Sequence, residues 1–237
     1  MNRNENNKCW ICQNNVANSR EHIIKKTDLE QIYGKLNQSD PVYAQKDGKK
    51  IRSIGSTKSD LFKYKKLICE DCNNNKTQQY DKSWATLSKF LYIHKDRIKK
   101  DGGINLNEVF SCNIKQKMID VQLFFIKLFG CKIVESGEIF YLEDLAEAIM
   151  SGDEHPNVYI SFRDSHKTNY TASSNIECSR DDEDNIDYLH WFYTIGSFSV
   201  DVIYSKDISD IDLNGAKKPS EMSTFIALSE LTYNQNY

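Results

Sequence analysis

Two Cys-x-x-Cys turns are the residues in this chain best suited to chemistry: Cys9 and Cys12 in KCWIC, and Cys69 and Cys72 in ICEDC. Such a turn sets two thiolates at a separation that one tetrahedral cation can bridge. Two turns complete the four-thiolate shell that structural Zn2+ prefers. Between Cys12 and Cys69 lie 56 residues, more than in a compact zinc ribbon. A metal here would pin the ends of a long excursion, and the binding or reacting residues are expected inside it. A redox dithiol would need a βαβ context, which the flanking sequence lacks. Cys112, Cys131 and Cys178 stand alone and are expected to be core cysteines.

Inside the excursion, SREHII places Glu21 next to His22. A carboxylate is a hard oxygen ligand suited to Mg2+ or Mn2+. An imidazole can take a proton from water near neutral pH. Adjacent residues on a regular strand point to opposite faces, so both could meet one substrate only if the backbone bends or the strand ends there. After the second turn comes NNNK. If a helix starts near Cys72, then Asn73, Lys76 and Tyr80 fall on one side of it. Asn73 could offer an amide oxygen to a hard cation or cap the helix. Lys76 and the helix N-terminus could offer positive charge to a phosphate.

The elements that must position these groups follow from pattern. Residues 9–24 read as a cysteine turn and an extended segment. Residues 25–66 read as a Lys-rich insertion with one short helix, DLEQIYGKL, and short strands. A helix is expected from the second cysteine turn through SWATLSKFLYIHKDRIKK, ended by DGG at 101–103. Beyond it, MIDVQLFFIKLF (118–129) reads as a buried helix stopped by Gly130, and YLEDLAEAIMSG as a second helix. NVYISF reads as a strand, and WFYTIGSFSVDVIYS as two strands meeting near Gly196. The fold class is α+β, with a first unit at 1–103 and a second, with antiparallel strands, at 104–237.

Charge divides the same way. Residues 1–103 carry 21 Lys and Arg against 12 Asp and Glu; residues 104–237 carry 10 against 22. The basic unit is the candidate for a polyanion. Lys46, Lys49, Lys50, Arg52, Lys58, Lys63, Lys65 and Lys66 suit a nucleic-acid backbone, which binds cations without reading sequence. The acidic stretch 179–187 reads as a solvated loop. No apolar run reaches membrane-span length, and MNRNENNK lacks the apolar stretch of a secretion signal, so the expected location is the cytoplasm.

CWIC, SREHII and LICEDCNNNK together resemble an HNH endonuclease of the zinc-containing kind, over residues 9–81. The resemblance implies a ββα-metal unit in which a β-hairpin and a helix clasp one catalytic cation while a four-cysteine zinc holds the unit together. It implies Cys9, Cys12, Cys69 and Cys72 as zinc ligands, His22 as the general base, and Glu21 and Asn73 as ligands of a catalytic Mg2+ or Mn2+. Lys76 matches a basic position on the helix that faces nucleic acid. The implied activity is hydrolysis of phosphodiester bonds in DNA, with RNA as an open alternative, in restriction, phage defence or a mobile element. A zinc-stabilised nucleic-acid-binding module without cleavage is the competing reading. Two departures stand out. The middle Asn that usually buttresses the base-carrying loop is replaced by KYKKLI, and the Lys-rich insertion at about 25–66 is long. Residues 104–237 are expected to support a homodimer or a partner protein.

Overall fold

The computed structural model describes residues 7–138, 140–167, 169–181, 183, 185–207, 213 and 215–229. The polar tail 1–6, and residues 182 and 184 of the acidic stretch, lie outside the described residues.

The first cysteine turn is closed by a bridge between Lys8 and Val16 and leads into strand β1 (Ser19–His22). The excursion follows. It contains helix α1 (Lys26–Tyr33) and strands β2 (Val42–Ala44) and β3 (Arg52–Ile54), which pair antiparallel. Strand β4 (Lys63–Ile68) then returns along β1, antiparallel, with Ser19 opposite Ile68 and His22 opposite Lys63. Cys69 and Cys72 follow at once, so the second cysteine turn continues directly out of β4.

Helix α2 (Gln78–Ile93) and helix α3 (Lys95–Asp101) replace the single helix expected there. His94 leaves helical geometry and caps α2 through its N–H to Phe90 O. The chain then runs through β5 (Gly103–Asn105), α4 (Leu106–Val109), α5 (Ile114–Ser136) and α6 (Glu143–Ser151). Strands β6 (Val158–Asp164), β7 (Thr171–Ser173), β8 (Glu177–Arg180), β9 (Ile186–Ile195) and β10 (Phe198–Ser205) form one antiparallel sheet. Its order is β6-β10-β9, with β7 and β8 both on the far edge of β9. Strand β11 (Phe225–Ala227) pairs with β5. The architecture is α+β with antiparallel sheets.

Helix α5 organises the interior. From Met118 to Cys131 every side is buried, as the near-continuous apolar run demands. One face meets α2: Phe124 stacks on Trp84 at 5.6 Å. Another meets the sheet: Phe129 stacks on Trp191 at 6.1 Å. A single apolar cluster therefore contains Cys9, Tyr64, Trp84 and Leu87 from one side of residue 103, and Phe124, Phe129, Trp191 and Tyr193 from the other. A polar knot crosses the same line, where the buried Asp28 carboxylate accepts from Trp84 Nε1 (2.8 Å) and Tyr193 Oη (2.6 Å).

Gly130 does not stop the helix. Helix α5 runs six residues further, and the missing side chain serves packing instead: a Cβ at Gly130 would stand 2.4 Å from the Trp10 ring. Trp10 thus seats the first cysteine turn in a notch on α5 and donates from Nε1 to Cys131 Sγ (3.5 Å). Of the three isolated cysteines only Cys131 is buried; Cys112 and Cys178 are exposed, so the expectation of three core thiols is corrected. Among the described residues no helix is long and apolar enough to cross a membrane.

Candidate metal centre and the strand beside it

The Sγ atoms of Cys9, Cys12, Cys69 and Cys72 all lie within 4.8 Å of one another. Cys12 and Cys69 are 3.8 Å apart, and a tetrahedron with Zn–S bonds of about 2.3 Å has edges of about 3.8 Å. The turns are tied together by backbone: Trp10 N–H donates to Leu67 O (3.2 Å), and Cys72 N–H points at Cys69 Sγ (3.4 Å). Burial, reinforced by the neighbouring sulfurs, pushes the Cys72 thiol well up. Four thiols this crowded ionise together only if a cation joins them. The donor set, spacing and burial fit a structural Zn2+ held by these four cysteines.

The head of the following helix is irregular. Thr77 N–H reaches back five residues to Cys72 O (3.3 Å), making one wide turn over Cys72–Lys76 before α2 begins. Such turns often mark functional sites. Asn73 sits half-buried in it and donates from Nδ2 to Ser19 Oγ on β1 (2.9 Å). Lys76 is exposed, with Nζ 3.9 Å from Met150 Sδ. Tyr80, expected on the same side, is a core residue whose hydroxyl donates to Ile149 O (2.8 Å). The widened turn breaks the 3.6-residue period on which that expectation rested.

On β1 the adjacent acid and imidazole have different surroundings. Glu21 is buried: its Oε1 accepts from His22 N–H (3.0 Å), and its Oε2 meets Lys127 Nζ of α5 at 3.0 Å. Lys127 is fully buried and also binds Asp81 Oδ2 of α2 at 2.9 Å, while Lys25 pairs with the other Asp81 oxygen. Burial works against the Lys127 charge, but Glu21 and then Asp81 outweigh it and hold its pKa above the usual lysine value. The result is an alternating chain, Glu21–Lys127–Asp81–Lys25.

The strand pair presents different groups elsewhere. His22 lies opposite Lys63, and Arg20 lies opposite Lys66. Burial lowers the His22 pKa; Glu21 opposes this, and Lys63 and Lys26 add to the lowering. The imidazole is therefore neutral at pH 7. The Thr57 backbone also opposes the lowering, and Nε2 is buried without a partner among the described residues.

Geometry thus joins Asn73 to Ser19, and Glu21 to Lys127 and Asp81, rather than Glu21 to Asn73. Both Glu21 oxygens are engaged, one of them by an ammonium, so in this arrangement Glu21 and Asn73 do not fit a shared divalent cation. Sequence reading missed the Lys127–Asp81–Lys25 chain. Its signal was a single Lys inside LFFIKLF, since a buried ammonium demands acidic partners. Neither protein-family models, nor curated proteins, nor solved structures give a match to the chain.

Proposed function

We propose that this chain is a nuclease of the HNH kind, hydrolysing phosphodiester bonds in DNA with His22 as general base. The observation that carries the reading is the clasp. Four cysteines at metal-binding distance tie an antiparallel strand pair to the head of a helix, with a neutral imidazole on the strand and an asparagine on the helix's first turn. Zn2+ at Cys9, Cys12, Cys69 and Cys72 would act as a staple, orienting β1 and β4 against α2.

In the reaction, the His22 imidazole turns out of its buried position to take a proton from water, the new oxygen–phosphorus bond forms, and the bond to the 3′ oxygen breaks, that oxygen taking a proton from solvent. Lys63 and Lys26 beside the ring, with exposed Lys76, offer positive charge to the phosphate. The version of this chemistry with Mg2+ or Mn2+ on Glu21 and Asn73 requires Lys127 to release Glu21 first.

A specific observation favours the second reading, nucleic-acid binding without cleavage: the Glu21 carboxylate is already neutralised by Lys127. Plasmid DNA incubated with zinc-loaded protein, with and without Mg2+ or Mn2+ and with an EDTA arm, separates the two. Nicking that His22→Ala abolishes supports the nuclease. Retarded migration without nicking, equal in both proteins, selects the binding module. The EDTA arm reports whether a divalent cation takes part.

A further inference from the structure

The long insertion, a departure from the family pattern, holds a second strand pair apart from β1 and β4. Strands β2 and β3 form a two-stranded ribbon whose tip turns through Asp47 (φ 53) and Gly48 (φ 66). Two successive positive φ values suit the tight hairpin turn that follows the twist of the strands. Its inner face is seated: Ile54 is buried, and Val42 and Ala44 pack against the main core. Lys46 fastens it further, with Nζ on Lys63 O (3.2 Å) and on Glu135 Oε2 (3.0 Å).

The outer face is exposed. Tyr43 pairs across to Ser53, and on that register Gln45 and Ile51 share its side. Tyr43 is 76% exposed and Ile51 59% exposed, and Gln45 and Ser53 are exposed too. Large apolar side chains held in water by a fastened ribbon mark a contact surface. Charge identifies what it meets: Lys49 and Lys50 at the tip and Arg52 on β3 are all exposed, and Asp47 is the ribbon's one acid.

We propose that this ribbon is a wing that enters a groove of duplex DNA, with Lys49, Lys50 and Arg52 on phosphates and Tyr43 and Ile51 against the groove wall. A major groove about 12 Å wide admits a two-stranded ribbon. The proposal rests on the nucleic-acid reading above and assigns that partner to a surface separate from the β1–β4 pair.

The test uses the full, zinc-loaded chain carrying His22→Ala, so that binding is read without cleavage. Fluorescence anisotropy follows a labelled duplex of about 20 base pairs over a series of salt concentrations. Lys49→Ala with Lys50→Ala is expected to weaken binding on the order of tenfold near 0.1 M salt and to lower the log–log salt slope by about 2. Tyr43→Ser should weaken binding roughly fivefold and leave that slope unchanged. A matched loss of charge on α2 and α5, Lys89→Ala with Lys115→Ala, should stay within about twofold of the parent. Ribbon variants that bind like the parent overturn the wing alone. A parent that binds no duplex overturns the wing together with the nucleic-acid reading. Equal losses from ribbon and control pairs show bulk charge at work and also overturn the wing.

Discussion

Replacing Lys127 by Met tests the buried charge chain at its centre. The ammonium is fully buried and meets Glu21 Oε2 at 3.0 Å and Asp81 Oδ2 at 2.9 Å. The two acids do not depend on it equally. Among the described residues Asp81 keeps Lys25, whereas Glu21, itself buried, keeps only the His22 N–H. Removing one partner of a buried pair costs about 3–5 kcal/mol, because the remaining charge is stranded in low dielectric. Lys127→Met should therefore lower the unfolding free energy by about 3–5 kcal/mol at pH 7, read from urea melts of the zinc-loaded protein. Adding Glu21→Gln should restore most of this, and adding Asp81→Asn should restore little.

The pH dependence has a defined sign. A carboxylate stranded without its ammonium is costly only while it is charged, so acid, which neutralises it, relieves the penalty. The variant's deficit should be smaller at pH 4 than at pH 7. A deficit under about 1 kcal/mol at pH 7, or equal rescue by Glu21→Gln and Asp81→Asn, would refute the account of a Glu21 charge held by Lys127.

Three further outcomes follow from the same structure. Cobalt substitution should give one equivalent of tetrahedral thiolate-bound ion per chain, with Cys12→Ser or Cys69→Ser removing the charge-transfer band; metal analysis finding none would refute the centre. Gly130→Ala forces a Cβ against the Trp10 ring and should cost about 1–3 kcal/mol in a melt despite alanine's better helix propensity; a neutral or stabilising result would mean that the cysteine turn is not seated on α5. Burial lowers the His155 pKa to about 4, with Asp144 opposing. Stability linked to it is fully present above about pH 6.5 and is lost progressively as pH falls toward 4, which His155→Gln should flatten; an NMR titration midpoint near 6.5 would contradict this.

Several elements could be read from local pattern because local pattern causes them. Alternating and β-branched residues around Gly196 announced β9 and β10, and the apolar run at 118–129 announced a buried helix. The excursion's boundaries came from the cysteine turns alone. What local pattern misjudged were residues whose role depends on a distant neighbour. Gly130 reads as a stop because glycine favours helix ends, but its role is to admit an indole from 120 residues away. Tyr80 reads as facing a site if the helix is regular, and one widened turn moves it into the core.

The sequence alone determined the sulfur set, since Cys-x-x-Cys is a local geometry and two such turns can satisfy one tetrahedral ion wherever the chain brings them together. It also determined the antiparallel character of the later strands and the split of charge along the chain. Only the tertiary structure decided which charge stands beside Glu21. A carboxylate's partner is set by what packs within about 3–4 Å of it, and here helix α5 delivers Lys127 across more than a hundred residues of chain.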